Sequence, residues 1–255
     1  MSDIAVVTGA ASGIGLEASR DLLQRGWTVF GLDAAEDRLH QAAATLASNR
    51  FTAVVCDVRS ADAVKRAMAA VGEQAGHVNA LVCCAGVLRL GTLAEMSVED
   101  FDLVFGVNTR GLWLSAKEAL PWLRKARHAG GIARVVFLSS VAALRPKVDS
   151  GAYAASKAAV SHLTRVFAVE CAKDGILVNA LAPGTVDTPM IREQGDPAAR
   201  GGAWRPSGPS PLGRVAEPGD VVRVMRFLLS EDAAYVTGTT IPVDGGTQAA
   251  FVPPR

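Results

Sequence analysis

Residues 4–15 read Ile-Ala-Val-Val-Thr-Gly-Ala-Ala-Ser-Gly-Ile-Gly: an apolar run, a turn holding three glycines, and the opening of a helix. The run is short and lacks in/out alternation, the pattern of a strand covered on both faces. It returns as TVFGLD (28–33), TAVVCDV (52–58), ALVCCAG (80–86), RVVFLSS (134–140), LVNALAPG (177–184) and TTIPVDGG (239–246). Helix-like segments fall between these runs, near 13–25, 36–47, 60–75, 97–125, 152–173 and 218–230. Ser97 is placed to cap the fourth, with Glu99 and Asp100 in its first turn.

The alternation predicts an α/β fold: a Rossmann-like, doubly wound, seven-stranded parallel sheet with helices on both faces. No internal repeat and no long linker divides the chain, so residues 1–255 read as a single dinucleotide-binding and catalytic domain. One break interrupts the rhythm, at 191–217, in a Gly-, Pro- and Arg-rich stretch. A long irregular loop at a strand end of an open sheet suggests a substrate lid.

Hydrophobic residues make up 49% of the chain and charged residues 20%, enough for a sizeable core, and the net charge is +1. Neither nucleic acid nor an acidic membrane is expected to attract such a chain. The four cysteines, Cys56, Cys83, Cys84 and Cys171, suit neither a disulfide framework nor a metal site, since two are adjacent and three lie in apolar runs. With no signal pattern and no membrane-length apolar stretch, the expected location is the cytoplasm.

The glycine turn Thr8–Gly15 carries the first functional signal. Gly9, Gly13 and Gly15 allow a tight turn and close approach to a pyrophosphate, with Ser12 and Ile14 in the same turn. The helix that follows supplies N–H groups and a positive dipole end. Asp33 ends the second strand, 18 residues beyond Gly15, where a carboxylate can accept from a ribose diol. It would also repel a 2′-phosphate, and Ala34, Ala35 and the glycine turn bring no cation, so NAD is expected over NADP. Asp57, with Val58 after it, ends the third strand in reach of an adenine amino group.

Tyr153 and Lys157 carry the second signal, four positions apart on one helix face. A phenol with a pKa of about 10 is a poor base at neutrality. A lysine ammonium beside it would favour the phenolate and bring proton transfer into range. Ser140 closes the fifth strand and offers a hydroxyl to a substrate oxygen.

These residues together resemble the short-chain dehydrogenase/reductase family in its single-domain form of about 250 residues. The likeness runs from Ile4 to Gly246 through TGAASGIG (8–15), Asp57-Val58, Asn108 in FGVNTRG, Ser140, Tyr-Ala-Ala-Ser-Lys (153–157) and Pro183-Gly184 followed by Thr188. The resemblance implies a catalytic tetrad of Asn108, Ser140, Tyr153 and Lys157. Tyr153 is then the acid/base, Lys157 lowers its pKa and holds the nicotinamide ribose, Ser140 orients the substrate oxygen, and Asn108 holds a relay water. Ala85 and Gly86, and Pro183, Gly184, Val186 and Thr188, are implied cofactor contacts. The implied reaction is NAD-dependent interconversion of a secondary alcohol and a ketone, by a homotetramer or, failing that, a dimer. The alternatives are an NADP-dependent ketoacyl-type reductase and a non-catalytic NAD-binding redox sensor.

The chain departs from the family at Cys83-Cys84, where Asn-Asn is usual, so bracing of the cofactor edge must come from elsewhere. Arg145, Lys147, Arg192, Arg200 and Arg205 suggest an anionic substrate. Leu88, Leu144, Met190 and Trp204 suggest an apolar one instead.

Overall fold

The computed structural model describes residues 3–192 and 209–250. Trp204, Arg200, Arg205 and most of the expected lid lie outside the described residues.

Seven strands form one sheet: β1 (Ile4–Thr8), β2 (Thr28–Asp33), β3 (Phe51–Val55), β4 (Ala80–Cys83), β5 (Arg134–Leu138), β6 (Leu177–Pro183) and β7 (Thr240–Val243). Their order is β3-β2-β1-β4-β5-β6-β7 and every pairing is parallel. Successive side chains of a strand face opposite ways. In β1, Ile4 and Val6 therefore join one apolar layer while Ala5 and Val7 join the other. The first layer is closed by α3 (Ala61–Ala75), α5 (Leu112–His128) and α6 (Gly151–Cys171), through Met68, Leu123 and Phe167. The second is closed by α1 (Gly13–Gln24), α2 (Glu36–Leu46) and α8 (Pro218–Leu228), through Leu22, Leu39 and Met225. Both faces of the sheet are dry, which is why the strands read as unbroken apolar runs.

Because β2 and β3 lie to one side of β1 and β4–β7 to the other, the chain changes direction between β1 and β4, and a crevice opens at their C-terminal ends. Several strands are shorter than the sequence predicts. Residues 56–58 and 84–86 leave the ladder after β3 and β4 and form crevice walls instead. The expected helix over 97–125 also differs. It consists of α4 (Val98–Phe105), a π-helical turn at Gly106–Gly111, and α5. Ser97 caps α4 as expected, its Oγ accepting from the Asp100 N–H at 3.1 Å. A short α7 (Pro189–Arg192) follows β6. Among the described residues no helix is long and apolar enough to cross a membrane.

Candidate active site

The crevice is a cleft of about 430 Å³. Its lining includes Gly9, Ser12, Gly13, Ile14, Gly15, Asp33, Asp57, Val58, Ala85, Gly86, Ser140, Tyr153, Lys157, Pro183, Gly184, Val186 and Thr188. Of the catalytic and cofactor-binding residues expected from the sequence, Asn108 is the one that does not line the cleft.

The glycine turn is tight because strand ends crowd it. Gly9 has φ +69°, and a Cβ there would lie 2.7 Å from the Ala85 nitrogen. A Cβ on Gly15 would lie 2.1 Å from the Gly9 carbonyl oxygen, backbone that cannot swing aside. Gly15→Ala is therefore expected to cost about 1–3 kcal/mol of stability and to weaken NADH binding. Thermal melting and NADH fluorescence titration check both; an unchanged melting temperature would mean that the turn opens freely.

Asp33, at the end of β2, lines the cleft and is tied to the turn. Its carboxylate accepts from Ala11 N–H at 3.1 Å and Ala35 N–H at 2.9 Å. The expectation that no cation stands nearby is corrected: Arg38, on the first turn of α2, and Arg59, after β3, both line the cleft. Neither is one of the residues immediately flanking Asp33: Arg38 lies on α2 and Arg59 follows β3.

At the other end, Ser140 follows β5 and Tyr153 and Lys157 lie on α6. The loop between them turns at Asp149, whose φ of +62° is a left-handed conformation that Asp tolerates better than most residues. Ser139 points inward, its hydroxyl donating to the Lys157 carbonyl at 2.9 Å and paired with Ser161 at 2.8 Å. Ser140 and Tyr153 both line the cleft, and the Ser140 hydroxyl acts to lower the Tyr153 pKa. Lys157 is 4% exposed, and its Nζ donates to the Leu138 carbonyl at 2.7 Å. Nζ lies 5.8 Å from the centre of the Tyr153 ring.

The electrostatics differ from the sequence expectation. Burial raises the Tyr153 pKa, and the group opposing that rise is Ser140, not Lys157. Burial pulls Lys157 down to about 8, with the nearby Cys84 and Cys83 thiols acting the other way. In the protein alone, Tyr153 is a protonated phenol, ready to donate.

Asn108 sits in the π-helical turn and is fully buried. Its Oδ1 accepts from Val87 N–H at 2.8 Å, while Nδ2 donates to the Val87 carbonyl at 3.0 Å and to Ser156 Oγ at 3.1 Å. The amide expected to hold a relay water is thus engaged at both ends by protein. It also supplies the bracing that Cys83-Cys84 lacks, pinning the β4 loop from behind. Thr8 completes the brace: its Oγ1 accepts from Ala85 N–H at 3.2 Å and its carbonyl from Cys84 N–H at 3.1 Å. Burial raises the Cys84 thiol to about 12, so it is no nucleophile.

Of the cations proposed for an anionic substrate, Arg145 and Arg192 have protein partners. Arg145 donates to the carbonyls of Thr247 (2.9 Å) and Ala250 (2.7 Å), and Arg192 forms a two-point pair with Asp187. Burial lowers the Lys147 pKa. Of the apolar residues proposed, Met190 lines the cleft.

A nicotinamide dinucleotide fits these residues. A Cβ on Gly86 would meet Asn108 Oδ1 at 3.4 Å, Lys157 Nζ at 3.6 Å and Met190 Cε at 3.7 Å, so the missing side chain leaves a cradle beside Lys157.

The comparisons with known proteins agree. Residues 9–248 match the family model described as enoyl-(acyl carrier protein) reductase. The chain is 35% identical over 259 residues to meso-2,3-butanediol dehydrogenase of Serratia marcescens, covering 99% of this chain and 97% of that protein. It superimposes on 3-ketoacyl-(acyl-carrier-protein) reductase of Brucella melitensis complexed with NADH, with a TM-score of 0.87 and 27% identity over 96% of this chain and 98% of that one. A variant of actinorhodin polyketide ketoreductase with NADPH gives a TM-score of 0.88 and 32% identity, covering 98% of each chain. The chain belongs to the short-chain dehydrogenase/reductase family. It is an oxidoreductase of that family, among whose members are both alcohol dehydrogenases and ketoacyl reductases.

Proposed function

We propose that the chain is an NAD-dependent oxidoreductase interconverting a secondary alcohol and its ketone. The observation that carries this reading is the meeting of Ser140, Tyr153 and Lys157 in the same cleft that the glycine turn and Asp33 line. When bound, the nicotinamide accepts or returns the hydride of the carbinol carbon. Tyr153 Oη gives its proton to the ketone oxygen, or takes the alcohol proton in reverse. Ser140, in the same cleft wall, orients the substrate oxygen beside that phenol. Lys157 brings positive charge to the same wall, and Asn108 holds the wall at Val87 and, through Ser156, the helix that carries Tyr153. Asp33 receives the ribose diol, which favours NAD.

The second reading, an NADP-dependent ketoacyl-type reductase, draws support from Arg38 and Arg59 in the cleft and from the likeness to the NADPH-bound ketoreductase. Absorbance at 340 nm decides, with secondary alcohols and ketones offered alongside NAD(H) and NADP(H). We expect turnover with NAD. Because burial keeps Tyr153 protonated, oxidation should accelerate and reduction should slow as pH rises into the alkaline range. A preference for NADPH moves the second reading ahead, and NADH binding without turnover on a broad panel favours the redox sensor.

We also read the chain as one catalytic domain, cytoplasmic, with a small-molecule substrate. Trp113, Val166 and Val169 are exposed apolar residues on α5 and α6 and support a homotetramer, or a dimer as runner-up. Light scattering distinguishes these states from a monomer.

A further inference from the structure

We propose that Arg59 is a positioning residue for the cofactor's purine, orienting the Asp57 carboxylate to receive the exocyclic amine of adenine. The inference rests on the dinucleotide reading of the cleft and extends it to the end remote from the chemistry. Tyr153 and Lys157 fix the reacting end beside β5 and β6, and Asp33 fixes the ribose at β2. The base must then lie beyond, over the ends of β2 and β3, where Leu32, Arg38 and Cys56 to Arg59 form the walls. A purine presents two flat faces and a polar edge, so one wall needs an acceptor for the amine. Of the two carboxylates that line the cleft, Asp33 is assigned to the ribose and tied to the Ala11 and Ala35 N–H groups at β2, which leaves Asp57 for the base.

A carboxylate just beyond a strand end is ordinarily free to rotate. Here it is held. The Arg59 guanidinium grips Asp57 with Nε at 3.1 Å from Oδ1 and 3.0 Å from Oδ2, and with Nη2 at 2.7 Å from Oδ2. The Arg59 backbone N–H adds a fourth bond, to Oδ1 at 2.9 Å. The planar fork approaches from one side. The four contacts come from three N–H groups, Nε being shared between the two oxygens, which leaves one of the carboxylate's roughly four acceptor sites for the amine. The clamp is itself anchored. Arg110, in the π-helical turn, donates to the Arg59 carbonyl at 2.6 Å. Gly111 lies so close that a Cβ would stand 2.7 Å from Val58 Cγ2. The hydrogen bond from Arg59 also holds the Asp57 carboxyl below the usual carboxylate range. Both partners are partly exposed, at 52% and 35%, and such pairs contribute little to folding. The effect of the clamp is therefore expected in binding.

The test compares NADH with reduced deamino-NAD, in which a carbonyl replaces the adenine amine, by fluorescence titration at fixed ionic strength. The wild-type chain is expected to prefer NADH about tenfold, the worth of one hydrogen bond to a charged acceptor. Arg59→Ala should weaken NADH binding and bring the ratio towards one, and Arg59→Lys should restore it in part. Melting temperatures of the variants should stay within a few degrees of the wild type. A wild-type chain that binds both nucleotides equally overturns the proposal. So does an Arg59→Ala chain that keeps the wild-type ratio or binds NADH more tightly, since Arg59 would then be shielding Asp57. If NADPH is the better ligand, the same ratio is read with NADPH and its deamino form, so an error over the 2′-phosphate leaves this test intact. A chain that binds none of the four overturns the dinucleotide reading and this proposal together.

Discussion

A Tyr153→Phe variant is expected to lose turnover by about 10²–10⁴-fold, the usual contribution of a positioned general acid or base, while its affinity for NADH is unchanged. The substitution removes one hydroxyl and leaves the ring packed where it stands, 5.8 Å from Lys157 Nζ. The Ser140 hydroxyl still accepts from the Ala142 N–H at 3.2 Å and so keeps its place. Turnover and binding therefore separate cleanly. Measuring both on one preparation distinguishes a lost proton donor from a damaged cleft. Activity retained within a few-fold would assign the proton to another group and remove Tyr153 from the centre of the mechanism.

Lys157→Met should divide activity from stability in the opposite sense. Turnover is expected to fall by about 10²-fold or more, because the buried positive charge is removed from the reacting end of the cleft. The protein, however, should become more stable near neutral pH. Lys157 is charged at pH 7 in both folded and unfolded chains, but its folded pKa is depressed from 10.5 to about 8. That depression corresponds to about 3 kcal/mol of unfavourable burial. Loss of the bond to the Leu138 carbonyl returns about 1–3 kcal/mol, so a net gain of about 1 kcal/mol is expected. The sign of the pH dependence is fixed. Between pH 8 and 10.5 the unfolded wild-type chain holds the extra proton, so wild-type stability rises with pH there. The advantage of the methionine is full below about pH 8 and shrinks as pH climbs towards 10.5. Denaturant melts at pH 7 and pH 10 read the difference; a variant less stable than wild type at pH 7 would show that the ammonium strengthens the fold.

Much of this was legible in the sequence because the signals are local. A strand buried on both faces must be apolar throughout, and β1, with its residues divided between two cores, shows why. The residue sets at the glycine turn, Asp33, Ser140, Tyr153 and Lys157 are each fixed by position on one element, and the sheet brings them to one cleft. What was not legible depends on elements distant in sequence. Arg145 reads as a free cation until the segment after β7 lays the Thr247 and Ala250 carbonyls beside it. Arg38 and Arg59 enter the cleft through the path of α2 and the turn after β3. The Tyr153 and Lys157 pairing predicts a depressed phenol pKa from charge alone, but the cleft buries both groups, and desolvation outweighs that charge in the protein by itself. The strand ends were overread for a related reason: the apolar runs continue into residues 56–58 and 84–86, which leave the ladder and line the cleft.

The π-helical turn at Gly106–Gly111 acts as a phase shifter. A residue added to a helix rotates everything after it by about 100°, since 3.6 residues complete one turn. One continuous rod can thereby show one azimuth to α6 before the turn and another to α3 and the sheet after it. Deleting a single residue between Gly106 and Gly111 would restore an ordinary helix while rotating one half against the other. Asn108 would lose its alignment with Val87, or Arg110 its alignment with Arg59. A helical irregularity of six residues thus sets the register of the Val87 and Arg59 walls against each other, as a splice sets two threads on one shaft.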